Sequence, residues 1–160
     1  MTHLIEDRIT YNPDTGLFKW LDTEGSGVFK KDWFAGTEDN GYLKIRINQK
    51  GYRAHRLAWY LMTGDWPKHQ IDHIDGNRAN NKFSNLRDVT CSVNMQNMKK
   101  PSSSNNSGFL GVHFDSARQK YTSRLTINGK KLFLGRFDSA EEAYDVYLAA
   151  KRKLHEGNTL

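Results

Sequence analysis

The chain has 160 residues, of which 37% are hydrophobic, and its formal net charge is +6. This length allows one ordinary domain or two small ones, and the positive charge favours a polyanionic partner. Cys91 is the single cysteine, which excludes an intramolecular disulfide and a cysteine-built zinc site and agrees with a reducing cytoplasm. No apolar run approaches the roughly 20 residues of a membrane helix, and the N-terminal MTHLIEDRIT lacks a signal-peptide core. We therefore expect a cytoplasmic protein without a membrane segment.

The first half of the chain predicts a small β-rich region that leads into a helix. Residues 9–20 are typical of a hairpin, because NPDTG is turn chemistry between strands that carry aromatic side chains. Residues 42–48 alternate between apolar and basic side chains, which predicts a strand, and a turn at residues 49–51 leads to a second one. The segment HRLAWYLM, residues 55–62, predicts a helix that ends at Thr63-Gly64.

Residues 69–99 predict the order strand, polar loop, strand and helix. We expect the strands around residues 70–74 and 86–89, and we expect Thr90 to be the N-cap of the helix. Several polar residues nearby are expected to have structural or supporting roles. They are His55 in its apolar helix, the turn residues Asn77, Asn80 and Asn81, and Asn97 beside the candidate site. His69, in a loop beside Pro67, is expected to be exposed to solvent.

A composition change divides the chain after this segment. KKPSSSNNSG, residues 99–108, has no large apolar residue, so it buries little surface and is typical of a linker. We therefore predict a domain at residues 1–100, a linker at 101–107 and a second domain at 108–160. The second domain is expected to contain strands at 111–115, 120–128 and 131–137, and a helix at 140–155 that is N-capped by Ser139.

The adjacent residues Asp72 and His73 carry the chemistry of a candidate hydrolytic site. Hydrolysis of a phosphodiester needs a base that deprotonates water, and histidine suits this task near neutral pH. It also needs positive charge beside the phosphate, which a hard cation held by oxygen ligands supplies. Asn94, on the following helix, adds an amide oxygen if that helix packs across the two strands.

The segment HRLAWYLMTG…IDHIDGNRANN…SNLRDVTCSVNMQN resembles the core of phage-type HNH endonucleases, which include intron-encoded homing enzymes. The resemblance implies a ββα-metal fold at about residues 69–99 with one divalent ion, and a phage context expressed in a bacterial host. It implies that Asp72 is a metal ligand, that His73 is the general base, and that Asn85 pins the loop between the strands. Asn94 matches the last metal ligand, which is histidine in some branches, so an oxygen-only site favours Mg²⁺ or Mn²⁺ over Zn²⁺.

The C-terminal segment resembles the AP2/ERF DNA-binding domain through Gly111-Val112, Tyr121, Leu134-Gly135 and the run FDSAEEA at residues 137–143. The resemblance implies a three-stranded antiparallel sheet that packs on one helix and presents its other face to the major groove of DNA. Strand alternation independently predicts which residues face outward. They are His113, Thr122, Arg124, Thr126, Lys131 and Phe133. Of these, His113 and Phe133 stand where the family has arginine and tryptophan, so the target sequence does not carry over.

The predicted fold class is therefore α+β: a β-rich region, a ββα-metal core, and a three-stranded sheet with one helix. The basic residues Lys44, Arg46 and Arg53 mark a second expected DNA contact in the β-rich region. The predicted function is metal-dependent hydrolysis of double-stranded DNA, by nicking or double-strand cutting, in a monomer or weak dimer without an organic cofactor. A DNA-binding protein with a retired nuclease domain and a structural RNA-binding protein both remain open as alternatives.

Overall fold

The computed structural model describes residues 5–21 and 34–160. The first four residues of the N-terminal segment discussed above lie outside this description. The chain divides into two compact units, Met1–Val89 and Thr90–Leu160. Both units mix small antiparallel sheets with helices, and in the described ranges no helix is long and apolar enough to cross a membrane.

In residues 5–21 and 34–89, the first unit contains three small antiparallel sheets and one α-helix. A hairpin pairs the first two strands, a three-stranded sheet follows, and a two-stranded sheet pairs the last two strands of the unit. The elements are β1 (Ile9–Asn12), β2 (Leu17–Trp20), β3 (Thr37–Asp39), β4 (Tyr42–Ile47), β5 (Lys50–Arg53), α1 (Ala54–Thr63), β6 (Gln70–His73) and β7 (Leu86–Val89). The predicted N-terminal hairpin is confirmed.

The core of the first unit lies between the hairpin, β4 and α1. Ile45 and Ile47 of β4 are buried while Lys44 and Arg46 are exposed, so the predicted alternation of this strand is confirmed. Phe18 from β2 and Leu57 from α1 belong to the same cluster. Burial of such side chains contributes about 1.5–3 kcal/mol each, so this small cluster is the main support for the elements around it.

The helix and turn next to β4 follow from local chemistry. α1 ends at Gly64, which is left-handed and donates its backbone N–H to Tyr60, as the Thr63-Gly64 signal predicts. The turn between β4 and β5 differs from its predicted place at residues 49–51. Asn48 and Gln49 both have positive φ, whereas Lys50 and Gly51 already pair with β4. Asn tolerates the left-handed region, which explains why the turn begins one residue earlier.

The second unit begins with a short helix and continues with a sheet packed on a longer helix. Thr90 caps the first helix by accepting from the Val93 N–H, and Ser139 caps the last by accepting from the Glu142 N–H, as predicted. The second of the three strands in chain order lies in the centre of the sheet, between the other two. The elements are α2 (Cys91–Gln96), β8 (Val112–Asp115), β9 (Lys120–Ile127), β10 (Lys130–Phe137) and α3 (Ala140–Leu154).

A β-bulge in β10 changes the face pattern expected for this sheet. Phe133 pairs with Arg124 but Gly135 pairs with Ser123, so Leu134 is an extra residue. The bulge brings Arg136 opposite Thr122 and therefore onto the outward face. Thr122 pairs with His113 and Arg136 and therefore shares their face, but it is not exposed, since it is 2% exposed and its hydroxyl donates to the His113 carbonyl. The other predicted outward residues are exposed: His113, Arg124, Thr126, Lys131 and Phe133.

The segment expected to be a linker contains a hydrogen-bonded turn. The Asn105 side-chain amide donates to the carbonyls of Phe109 and Val112, and its oxygen accepts from Ser107 and Gly108. Hydrogen bonds therefore order residues that bury little apolar surface. The domain boundaries themselves stay a prediction.

The end of the chain contacts α2 within the second unit. The Gly157 N–H donates to the Gln96 side chain at 3.0 Å, and the Thr159 hydroxyl donates to the Asn97 side-chain oxygen. A Cβ at Gly157 would lie 2.3 Å from the Val93 carbonyl oxygen, which shows how closely the two backbones approach. The C-terminal segment therefore braces the helix that carries Asn94.

Candidate active site

β6 places Asp72 and His73 side by side in the first unit, and both are buried. Asp72 pairs with Arg87 of β7, and the Arg87 guanidinium donates to one Asp72 oxygen, Oδ2, from Nε at 2.8 Å and from Nη2 at 2.7 Å. A carboxylate this buried needs such a partner. Arg87 therefore fixes the orientation of Asp72.

His73 is held by a side chain from the loop between β6 and β7. Its Nε2 lies 3.2 Å from the Asn81 side-chain oxygen. Burial lowers the pKa of His73, while Asn81, Asp75 and Asp72 partly oppose that shift. The imidazole is consequently neutral near neutral pH, which is the form that accepts a proton.

Asn85 braces the same loop through three hydrogen bonds. It accepts from the Asp75 N–H and donates to the Asp75 carboxylate and to the Asn80 carbonyl, at 2.8–3.0 Å. Burial acts to raise the pKa of Asp75, but hydrogen bonds from Asn80, Asn77 and Asn85 outweigh it and lower the pKa. These contacts have the geometry expected of a loop-pinning residue, and its role stays a prediction.

A cluster of rings lies against His73. The His55 ring meets the His73 ring edge-on at 5.1 Å between centroids, and Tyr42 lies 5.2 Å from His55 and 6.1 Å from His73. Burial, followed by the charges of His73, Arg56 and Arg53, lowers the pKa of His55 to about 3. His55 therefore stays neutral and packs behind the site.

The cations around these rings differ in their partners. Arg53 was predicted to contact DNA, but it forms an ion pair with Asp39 at 2.9 Å, which partly offsets its positive charge. Arg78 lies over the Tyr42 ring at 4.8 Å and donates to the Asn40 carbonyl at 3.4 Å. Within the described ranges Arg78 has no carboxylate partner. Arg78 was not among the residues predicted from the sequence, although its place five residues after His73 in a polar loop was a usable signal.

The remaining cations of the first basic block are also on the surface. Lys44 and Arg46 are exposed on β4, and Arg46 donates to the Gln49 carbonyl. Neither side chain is tied to a carboxylate within residues 5–21 and 34–160. They stay candidates for DNA contact.

The donor set for a metal ion is small. The described part of the chain has no group of three or more His, Cys, Asp and Glu side chains that could hold a metal. Asp72 nevertheless supplies a carboxylate, and Mg²⁺ commonly takes one or two carboxylates together with water and phosphate oxygens. Asn94 is half-buried on α2 in the second unit. The oxygen chemistry of these two residues fits a hard divalent cation.

The outward face of the second unit's sheet combines cationic, hydroxyl and aromatic groups. A concave area there is lined by His113, Thr122 and Arg124 together with the Asp115–Ala117 turn. Arg136 stacks over the Phe133 ring at 5.2 Å, and Phe133 is 50% exposed. The register puts Arg124, Thr126, Lys131 and Phe133 on one face, and the bulge adds Arg136, which sequence alternation missed.

Comparison with known proteins defines the class. A family model described as HNH endonuclease matches residues 52–96, which run from β5 to the end of α2. These residues form an HNH endonuclease domain, which indicates nuclease activity in general. The family implies DNA as the substrate, and HNH nucleases generally use a divalent metal ion.

A phage protein of similar sequence shows the family to which the whole chain belongs. The chain is 36% identical over 107 residues to Protein 3.8 of Escherichia phage T7, and the match covers 66% of this chain and 87% of that protein. The chain belongs to the same family as this phage protein. No solved structure matches it significantly.

Proposed function

We propose that this protein is a metal-dependent DNA endonuclease in which His73 is the general base. The observation that carries the proposal is that the HNH segment holds, at adjacent positions of β6, a buried histidine contacted by Asn81 and a buried carboxylate contacted by Arg87. His73 takes a proton from the attacking water. Asn85 keeps the loop between β6 and β7 in the conformation that holds His73 beside the attacking water.

Asp72 and Asn94 are the proposed ligands of one divalent ion, Mg²⁺ or Mn²⁺. When bound, the ion neutralises charge on the phosphate and stabilises the leaving oxygen. Arg87 orients the Asp72 carboxylate toward this task by occupying its Oδ2 atom. The amide oxygen of Asn94 would add a neutral ligand, so the ion and its two protein ligands together would keep a net positive charge that attracts a phosphate.

Arg78 is the proposed phosphate contact of the catalytic unit. Its guanidinium is exposed, is positioned by the Tyr42 ring, and retains donors beyond the one used for Asn40. Guanidinium groups bind phosphate oxygens through paired donors. Arg53 is the weaker candidate because Asp39 already accepts from it.

The second unit is proposed to position the enzyme on double-stranded DNA through an AP2-like sheet. Its outward face offers Arg124 and His113 for base edges, and Lys131 and Arg136 for phosphates. Phe133 supports the proposal, because a half-exposed aromatic ring on a solvated face otherwise loses the benefit of burial. This role does not depend on α2, because the outward face lies on β8–β10.

The experiment that tests the proposed function is plasmid cleavage by the full chain with Mg²⁺ or Mn²⁺ and with a chelator. We expect nicked or linear plasmid with either metal and none with the chelator. Binding to duplex without any cleavage would favour the alternative of a retired nuclease domain. Binding to RNA in preference to duplex DNA would favour the structural RNA-binding alternative.

A further inference from the structure

We propose that Asn81 is a positioning residue, which the N-terminal hairpin holds in place and which keeps His73 in the tautomer protonated at Nε2. The proposal deepens the proposed function, since the same histidine is the proposed base. From the sequence alone, Asn81 was expected only to satisfy a turn. In the structure Asn81 is 2% exposed, an unusual depth for a loop amide.

The orientation of the Asn81 amide follows from its two neighbours. Its Nδ2 donates to the Ala79 carbonyl at 3.3 Å, and its Oδ1 faces His73 Nε2 at 3.2 Å. A carbonyl only accepts, so the NH₂ group must face Ala79 and the amide oxygen must face the histidine. An amide oxygen also only accepts, so Nε2 must carry the hydrogen. In a neutral imidazole the lone pair that accepts a proton then belongs to Nδ1.

The hairpin formed by β1 and β2 fixes the backbone of Asn81. The Tyr11 hydroxyl donates to the Asn81 carbonyl at 2.7 Å, across a separation of 70 residues. The Phe83 N–H donates to the Pro13 carbonyl at 3.0 Å. A Cβ at Gly16 would lie 2.6 Å from the Asn81 carbonyl carbon, and Gly16 has a φ of +73°. Glycine is therefore required where the hairpin turn meets this loop.

The Tyr11 contact is itself well supported. The Tyr11 ring packs on Phe18 at 4.7 Å between centroids, and Phe18 is part of the core. Burial raises the pKa of Tyr11 to about 12, so its hydroxyl remains a donor across the neutral range. The hairpin thus connects the core of the first unit to the proton position on His73.

The test is the ¹⁵N spectrum of histidine side chains in the metal-free, DNA-free full chain at about pH 8, above the ordinary histidine pKa. His73→Gln assigns the His73 signals by their loss. We expect wild-type His73 to show the Nε2–H pattern. Asn81→Ala should give a mixture of both tautomers, whereas Asn81→Asp, which keeps an accepting oxygen, should retain Nε2–H.

Two further variants make the result specific. Asn80→Ala is the matched control, because the Asn80 side chain donates to Asp75 and does not contact His73, so the wild-type pattern should persist. Tyr11→Phe removes one hydroxyl and should introduce a measurable Nδ1–H population. A wild-type His73 protonated at Nδ1, or an Asn81→Ala protein with an unchanged pattern, would overturn the proposal. Absence of plasmid cleavage would count against the proposed function alone, because the spectrum needs neither metal nor DNA.

Discussion

Desolvation is the main cause of the lowered pKa values of the two buried histidines in the candidate site. His55 and His73 are both buried, and burial is the largest cause that lowers the pKa of each. For His73 the hydrogen bond with Asn81 opposes this effect, whereas His55 has no such aid and its Nδ1 lacks a hydrogen-bond partner in the described ranges. His55 is therefore a residue that the fold tolerates only in its neutral form.

This difference predicts an acid sensitivity that belongs to His55. In the unfolded chain its pKa is near 6.5, whereas in the fold it is about 3, with Tyr42, His73, Arg53 and Arg56 around it. Between these values the unfolded chain binds one more proton. The free energy of unfolding should therefore fall as the pH falls from about 6.5 toward 3, by up to about 1.4 kcal/mol per pH unit.

The measurement is urea unfolding of wild type and His55→Phe over this pH range. The variant does not titrate at this position, so its stability should fall less steeply with acid. His69→Phe is the control at an exposed site and should follow the wild-type curve. Parallel curves for wild type and His55→Phe would contradict the assignment.

Arg78 and Arg53 should separate a phosphate contact from a structural ion pair. Arg78→Ala should weaken duplex binding for all sequences and lower the salt slope by about 1 unit, with little change in stability. Arg53→Ala should instead cost stability, because it leaves Asp39 without its partner. Duplex titrations at several salt concentrations, with thermal unfolding beside them, measure both effects. An unchanged salt slope for Arg78→Ala removes it from the DNA surface.

Asp72 and His73 could be predicted from the sequence because both sit in one short motif. The role of Asn81 could not, because it depends on a loop that folds back across eight residues and on Tyr11 from a distant hairpin. Arg78 was missed for a related reason: its position is set by stacking on Tyr42 from another sheet. Such contacts carry no local sequence pattern.

At the scale of elements, two glycines in the second unit offer a test of packing against backbone strain. Gly111 and Gly129 have nearly equal φ values of +75° and +76°. A Cβ at Gly111 would lie 2.1 Å from Tyr147 ring carbons, whereas a Cβ at Gly129 meets nothing within 4 Å. Both substitutions by alanine incur left-handed strain of about 1–2 kcal/mol. Gly111→Ala should cost about 1–3 kcal/mol more, from overpacking against α3.

Thermal or urea unfolding of the two variants measures the difference directly. Equal losses of stability would show that the Gly111 approach to Tyr147 is not a close contact in solution.

The helices and strands themselves were largely predictable from alternation, caps and turn residues. The bulge in β10 was not, although Gly135 inside a strand is a known signal of one. Gly135 has a φ of +146°, and the shift it accompanies decides that Arg136 faces outward. Alternation rules assume an unbroken ladder, so they fail after such a residue.

For the whole molecule, the second unit includes α2 as well as the C-terminal sheet. If the predicted boundary at residue 100 holds, removal of residues 101–160 should leave a nuclease core. The contacts of Gln96, Asn97 and Met98 with Gly157, Thr159 and Lys151 predict a different result, because the truncated chain loses these partners of α2.

Deletion of residues 156–160 tests this coupling with the smallest change. We expect faster amide exchange in α2 and at least a tenfold lower cleavage rate, while duplex binding through β8–β10 persists. Hydrogen exchange and duplex titration measure the two arms. Normal protection of α2 in the shortened chain would contradict the bracing role of the C-terminal segment.

The central claim is that His73 is the base of a DNA endonuclease, and the most direct measurement compares His73→Ala with His69→Ala in plasmid cleavage. Both remove one imidazole, but His69 is exposed and lies outside the site. His73→Ala should lower the rate by ~10²–10⁴-fold while duplex affinity is retained, since only the water-activating group is lost. His69→Ala should cut at close to the wild-type rate. Cleavage by His73→Ala at the rate of His69→Ala would contradict the account.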